Sequence, residues 1–155
     1  MKIVVAVDII IDLIEAGLLD GYFGKSFDVY TTDIVIHRLG QENTFNIESY
    51  WKQSDNLHIA SFEGVQMIEM LQFYTKCKTI TNLSIEDCSV LYFAKQHNCI
   101  LLADDTQLLK LAKKDGVEAI ERNSLLNYRQ PCDGIIEQSC PRAWNNDIYM
   151  KGGRL

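Results

Sequence analysis

Two apolar runs in this chain end on aspartate, and a helical pattern follows each. "KIVVAV" at 2–7 is β-branched, continuous and stops at Asp8; "CILLA" at 99–103 stops at the adjacent pair Asp104 and Asp105. A strand that is apolar without alternation is covered on both faces, as strands of a parallel sheet are. After Asp8, the residues Ile10, Leu13, Ile14, Gly17 and Leu18 fall at helical spacing, and "DTQLLKLAKKDG" predicts a helix closed by Gly116.

The rest of the chain repeats the alternation. "FDVYTT" at 27–32 predicts a second strand, with Thr32 or Asp33 capping a helix "DIVIHRLGQEN". The stretch 45–63 is ambiguous, apart from "LHIASF" at 57–62, which fits a strand ahead of a helix through "GVQMIEMLQFYTKC". "LSIEDCSVLYFAKQHN" at 83–98 predicts a helix with Ser84 as cap, Val90, Leu91, Phe93 and Ala94 contributing its apolar face, and "VEAI" at 117–120 a last strand. Strands and helices that alternate this way form parallel βαβ units with right-handed crossovers. A length of 155 residues suits one domain.

Composition narrows the class. Hydrophobic residues at 47% and charged residues at 23% describe a soluble globular chain. Asp8, Asp12 and Glu15 interrupt the first apolar run, so neither an export signal nor a membrane helix is expected. Cys77, Cys88, Cys99, Cys132 and Cys140 form no C-x-x-C pair and read as reduced thiols of a cytoplasmic protein. With a net charge of −6 the molecule repels nucleic acid on average, so a polyanionic substrate needs a local basic patch, a metal ion or a partner. Gly-rich phosphate loops and the G-x-S-x-G elbow are missing from the sequence, which counts against nucleotide-dependent enzymes and serine hydrolases.

Attention therefore falls on the acids. In an open parallel sheet the binding crevice lies beyond the carboxyl ends of the strands, where strand order reverses. Asp8, Asp104 and Asp105 share one crevice if their strands are neighbours, and Asp87 joins them from the start of the preceding helix. Gathered carboxylates call for a cation or for retained protons, and hard divalent cations prefer such oxygen ligands. Each acid also has an ordinary explanation: Asp8 and Asp104 as helix caps, Asp87 as part of a capping box "SIED". The doubling at 104–105 favours chemistry, since one cap needs one acid.

These residues resemble a PIN domain, the nuclease fold of VapC-type toxins in toxin–antitoxin pairs. The resemblance covers roughly residues 1–121 and rests on "IVVAVDIIIDLI" and on "LSIEDCSVLYFAKQHNCILLADDTQLLKLAKKDGVEAI". It implies a three-layer α/β/α domain over 1–121, with 122–155 as a C-terminal extension packed on the domain or at a subunit interface. It implies a metal-dependent ribonuclease in which Asp8, Asp87 and Asp105 act at the catalytic centre and, with Asp104, hold Mg²⁺ or Mn²⁺. An RNA substrate, an antitoxin partner and a homodimer follow from it as expectations, and a membrane does not.

Two positions depart from the pattern. "VIHRL" places Arg38 where the resemblance implies a glutamate, and a cation there is expected to pair with Asp8 or Asp105 or to bind substrate phosphate, while Glu42 lies one turn further on. Ala103 replaces a hydroxyl residue. Both favour an alternative, a catalytically degenerate domain acting as an RNA-binding or protein-interaction module. A third possibility is a doubly wound domain of the response-regulator or phosphatase kind, but no lysine stands after a later strand to support it. His37, His58 and His97 share no ligand spacing, although His37 sits beside Arg38. Lys110, Lys113 and Lys114 fit a solvated helix face better than a phosphate track.

Overall fold

A computed structural model describes residues 1–16, 27–42, 46–53 and 55–128. Five strands form one sheet in the order β3-β2-β1-β4-β5, and every pairing is parallel. They are β1 (Lys2–Val5), β2 (Asp28–Thr32), β3 (Leu57–Ala60), β4 (Ile100–Leu102) and β5 (Ala119–Ile120). The helices are α1 (Val7–Glu15), α2 (Asp33–Glu42), α3 (Ile47–Lys52), α4 (Val65–Lys78), α5 (Ile85–His97) and α6 (Thr106–Lys114), and a 3₁₀ segment, Arg122–Tyr128, closes the described chain. This is the expected α/β/α sandwich of a parallel sheet flanked by helices.

The two unbroken apolar runs are the two central strands. Ile3, Val4, Val5, Leu101 and Leu102 are fully buried, as strands with helices on both faces require. From β1 the chain steps outward through β2 to β3, then crosses back over α4 and α5 to place β4 on the other side of β1. Strand order therefore reverses between β1 and β4, where a doubly wound sheet opens its crevice. Val4 pairs with Leu101 and Val5 with Leu102, so the two strands end level, and Asp8 and Asp105 each stand three residues past the last pair.

Helix boundaries follow local chemistry. Ser84 accepts the Asp87 N–H at 3.1 Å and starts α5, and Asn98 ends it in the left-handed conformation at φ 53°. Asp105 accepts the Leu108 N–H at 3.0 Å and starts α6, which Gly116 closes at φ 78°. Thr32, the first of the two expected caps, accepts the Val35 N–H at 3.2 Å and starts α2. Asp8 does not cap α1. It sits inside the first turn, and the residue before that helix, Ala6, offers no side-chain acceptor.

The ambiguous stretch holds α3, anchored by fully buried Trp51, whose indole N–H donates to the His58 carbonyl at 3.0 Å. Cys77, Cys88 and Cys99 are buried free thiols, and burial pushes all three above the ordinary thiol range, so they stay protonated and unreactive. Cys132 and Cys140 lie outside the described residues, as does most of the expected extension, from 129 to 155. No helix among the described residues is long and apolar enough to cross a membrane.

Candidate active site

The switch point gathers acids from three elements. Asp8 leaves β1, turns with α1 and accepts the N–H of Ile9 at 2.9 Å. Asp105 leaves β4 and spends one oxygen on the cap of α6. Asp87 arrives from α5, whose first turn stands over the same end of the sheet. Their proximity shows in the protonation of Asp87 and Asp8. Burial first, then the charges of Asp8 and Asp105, pushes Asp87 up to about 6. Burial also raises Asp8, against the Ile9 N–H, with Asp104, Asp12 and Asp105 adding to the rise. Charges that disfavour one another in this way leave a crevice with a net demand for a cation.

The adjacent aspartates at 104 and 105 divide two tasks. Asp105 caps α6 and faces the crevice, whereas Asp104 turns toward Arg122. One oxygen of Asp104 accepts the Arg122 N–H at 3.0 Å, and the other meets the guanidinium at 2.9 Å. The same guanidinium reaches Asp12 at 3.3 Å and is itself buried. Asp104, expected among metal ligands, thus has both oxygens engaged by a brace that ties the end of β4 to α1 and to the closing 3₁₀ segment. Sequence reading missed Arg122, since nothing in the spacing of a polar segment announces a partner 18 residues away.

Arg38 also finds a partner other than the expected Asp8 or Asp105. Its Nη1 lies 2.9 Å from Oε1 of Glu86, the residue beside Asp87. Glu86 is almost buried and Arg38 half exposed. Beneath the pair a buried relay fixes α2 against α5. Thr32 Oγ1 accepts the Val35 N–H and lies 2.8 Å from Ser89 Oγ, and Ser89 donates to the Glu86 carbonyl at 2.7 Å. With the Ser89 proton committed, the bond between the two hydroxyls must be donated by Thr32.

Ala103 is fully buried, its N–H donating to the Ile120 carbonyl at 3.1 Å, and it brings no hydroxyl to the cluster. His37 belongs elsewhere. It bonds Gln41 at 3.1 Å on the wall of a cavity of about 780 Å³ between α2 and α3, which Lys52 and Ser61 also line.

A divalent cation can be tested against these residues. Asp8, Asp87 and Asp105 supply only hard carboxylate oxygens, and the charge of Asp105 adds to the raised proton affinity of Asp8 and Asp87, which suits Mg²⁺ or Mn²⁺ in character. Among the described residues, no three His, Cys, Asp or Glu side chains already stand as a ligand shell.

A solved structure carries the same fold. A PilT N-terminus domain protein from the hyperthermophilic archaeon Sulfolobus solfataricus P2 superposes with a TM-score of 0.59 at 20% identity, covering 82% of this chain and 92% of that one. No family model and no curated protein matches the sequence.

Proposed function

We propose that this chain, with its PilT N-terminus (PIN) fold, is a metal-dependent nuclease that hydrolyses RNA phosphodiester bonds. The observation that carries the reading is the convergence of Asp8, Asp87 and Asp105 at the β1–β4 switch point, each raising or sharing the negative potential of the others. These three would hold Mg²⁺ or Mn²⁺. When bound, such a cation acidifies a water and offsets phosphate charge in the transition state. The chain's own part is orientation. The Ile9 N–H fixes one oxygen of Asp8, the Leu108 N–H fixes one of Asp105, and the Ser84 cap sets the turn that presents Asp87. Arg122 pairs with Asp104 and Asp12, which leaves Asp8, Asp87 and Asp105 as the acids this reading assigns to the cation.

A VapC-type toxin role, an antitoxin partner, a homodimer and a cytoplasmic location belong to the same proposal. For the homodimer, Val65, Ile68 and Leu71 supply support, exposing apolar side chains along α4. The test is calorimetric titration with Mn²⁺ beside an RNA cleavage assay. Asp8→Asn and Asp105→Asn are expected to abolish both, Asn being chosen because its amide oxygen can still accept the backbone N–H that each aspartate accepts, from Ile9 and Leu108 respectively. Full activity retained in both variants would refute the assignment.

The Arg38–Glu86 ion pair and the missing hydroxyl at Ala103 favour a second reading, a catalytically degenerate module that binds RNA or protein. Its signature is RNA binding without Mn²⁺ uptake or cleavage. Gain of Mn²⁺ affinity in Arg38→Glu with Ala103→Thr would identify these two positions as the cause.

A further inference from the structure

The cavity of about 780 Å³ between α2 and α3 holds a polar atom that the fold leaves unmatched. Asp33 lies on its wall, and Oδ1 of that carboxyl is buried with no hydrogen-bond partner among the described residues. Burial holds the carboxyl above its ordinary range, against the N–H groups of Ile34 and Phe62. A buried acceptor without a donor is costly, and native folds keep few of them. The carboxyl torsion of aspartate is broad, so a small turn presents the free oxygen to the cavity.

One turn along the same face of α2, His37 adds the opposite character. Residues four apart on a helix stand about 5–6 Å from one another at Cβ. The amide nitrogen of Gln41, 3.1 Å from His37 Nε2, can only donate, so Nε2 accepts and the ring proton stands on Nδ1. The wall thus offers an acceptor at Asp33 and a donor at His37, while Ile36, Ile47 and Ile59 supply apolar surface. A flat heterocycle whose edge sets a donor beside an acceptor matches all three features. Cavities of roughly 300–1,000 Å³ hold ligands of this size.

The place of the cavity in the sheet suits the same substrate as the acids. Asp33 follows the last residue of β2, and β2 pairs with β1 in the register of Tyr30 with Val4, so Asp33 and Asp8 leave the sheet by one edge. Neighbouring strands lie about 4.8 Å apart, so β3, which lends Ile59 to the cavity, is roughly 10 Å from β1. One RNA strand along that edge can span both.

We propose that this cavity is a pocket for an RNA base that carries an exocyclic amino group, cytosine or adenine. Asp33 accepts from the amino group, as acidic side chains do from cytosine, and the His37 ring N–H donates to the neighbouring ring nitrogen. Uracil is disfavoured, because its N3–H lies between carbonyl oxygens that a carboxylate repels. The proposal rests on the nuclease reading for its substrate class.

The test is titration of the full chain with cytidine, adenosine and uridine, followed by amide NMR shifts, since uncharged nucleosides bind without a metal and without phosphate repulsion. Cytidine and adenosine should shift amides of α2 and α3, with uridine weaker by roughly tenfold. Asp33→Asn should erase that preference, because an amide donates as readily as it accepts. His37→Ala should weaken cytidine and adenosine several-fold. A merely structural Asp33 would change the melting temperature and leave the preference alone. Equal binding of uridine, or a preference unchanged in Asp33→Asn, would overturn the proposal. In Mn²⁺, cleavage of a mixed-sequence RNA should favour sites near cytosine or adenine, and Asp33→Asn should lose that bias. A nucleoside preference with unbiased cleavage would make the occupant a free nucleoside and overturn the RNA assignment. Cleavage that depends on Asp8 and Asp105, with no nucleoside shift at the cavity, would overturn the proposal and uphold the nuclease reading. The nucleoside preference without any cleavage would uphold the pocket and sink that reading.

Discussion

Replacing Asp87 with Asn should make the metal-free protein more stable at neutral pH. Burial and the charges of Asp8 and Asp105 carry this carboxyl from its ordinary 3.8 up to about 6. Between those values the folded state keeps a proton that the unfolded chain has released, so stability falls as pH rises through the window, and the full penalty applies above it. A displacement of that size corresponds to about 3 kcal/mol, which solvent contact at a partly buried side chain reduces to roughly 1–2 kcal/mol. Asn removes the penalty but also gives up a favourable anion in the first turn of α5, about 0.3–1 kcal/mol. The net gain is about 1 kcal/mol near pH 8 and is largely lost only near about pH 4, where the unfolded carboxyl also keeps its proton. Urea denaturation in EDTA at the two pH values measures it, as a shift in midpoint at constant slope. Added Mn²⁺ should reverse the order by stabilising only the natural protein. A gain of equal size at both pH values, or a loss near pH 8, would mean that Asp87 does not share its potential with Asp8 and Asp105.

Other perturbations address the supports around the site. Arg122→Met should cost about 2–3 kcal/mol in urea denaturation, because Asp12 and Asp104 both lose a buried partner, though each keeps some contact with water. Ser89→Ala should cost about 1–3 kcal/mol by leaving the buried Thr32 hydroxyl without an acceptor, read as a lower melting temperature. Asn98→Gly should be near neutral, whereas Asn98→Val should cost at least about 1 kcal/mol, since φ at that position is left-handed; a thermal melt of the pair decides it.

The elements that were legible in the sequence are those whose burial leaves a pattern. β1 and β4 announced themselves as unbroken apolar runs, because a central strand of a parallel sheet is covered on both faces. Ser84 and Gly116 marked helix ends through chemistry that works over three or four residues. α3 escaped notice because six residues carry too few turns for a period, and its anchor, Trp51, bonds a strand that follows it. The acids of the crevice were visible one by one, yet the separate tasks of Asp104 and Asp105 were not, since they depend on Arg122. Arg38 stood out as a residue of unexpected charge. Its partner could not be read, because Glu86 lies 48 positions away and only the packing of α2 on α5 brings them together.

The brace at Arg122 bears on where the folded unit can be cut. A chain ending at Glu121 would keep all five strands and every acid of the crevice, yet it would leave Asp12 and Asp104, both close to Asp8, without their cation and remove Leu125 from the core. Shortened in this way, the protein would resist protease less well around α1 than anywhere in β4. Its crevice would gain negative charge and lose the shape that decides which of its acids face a substrate.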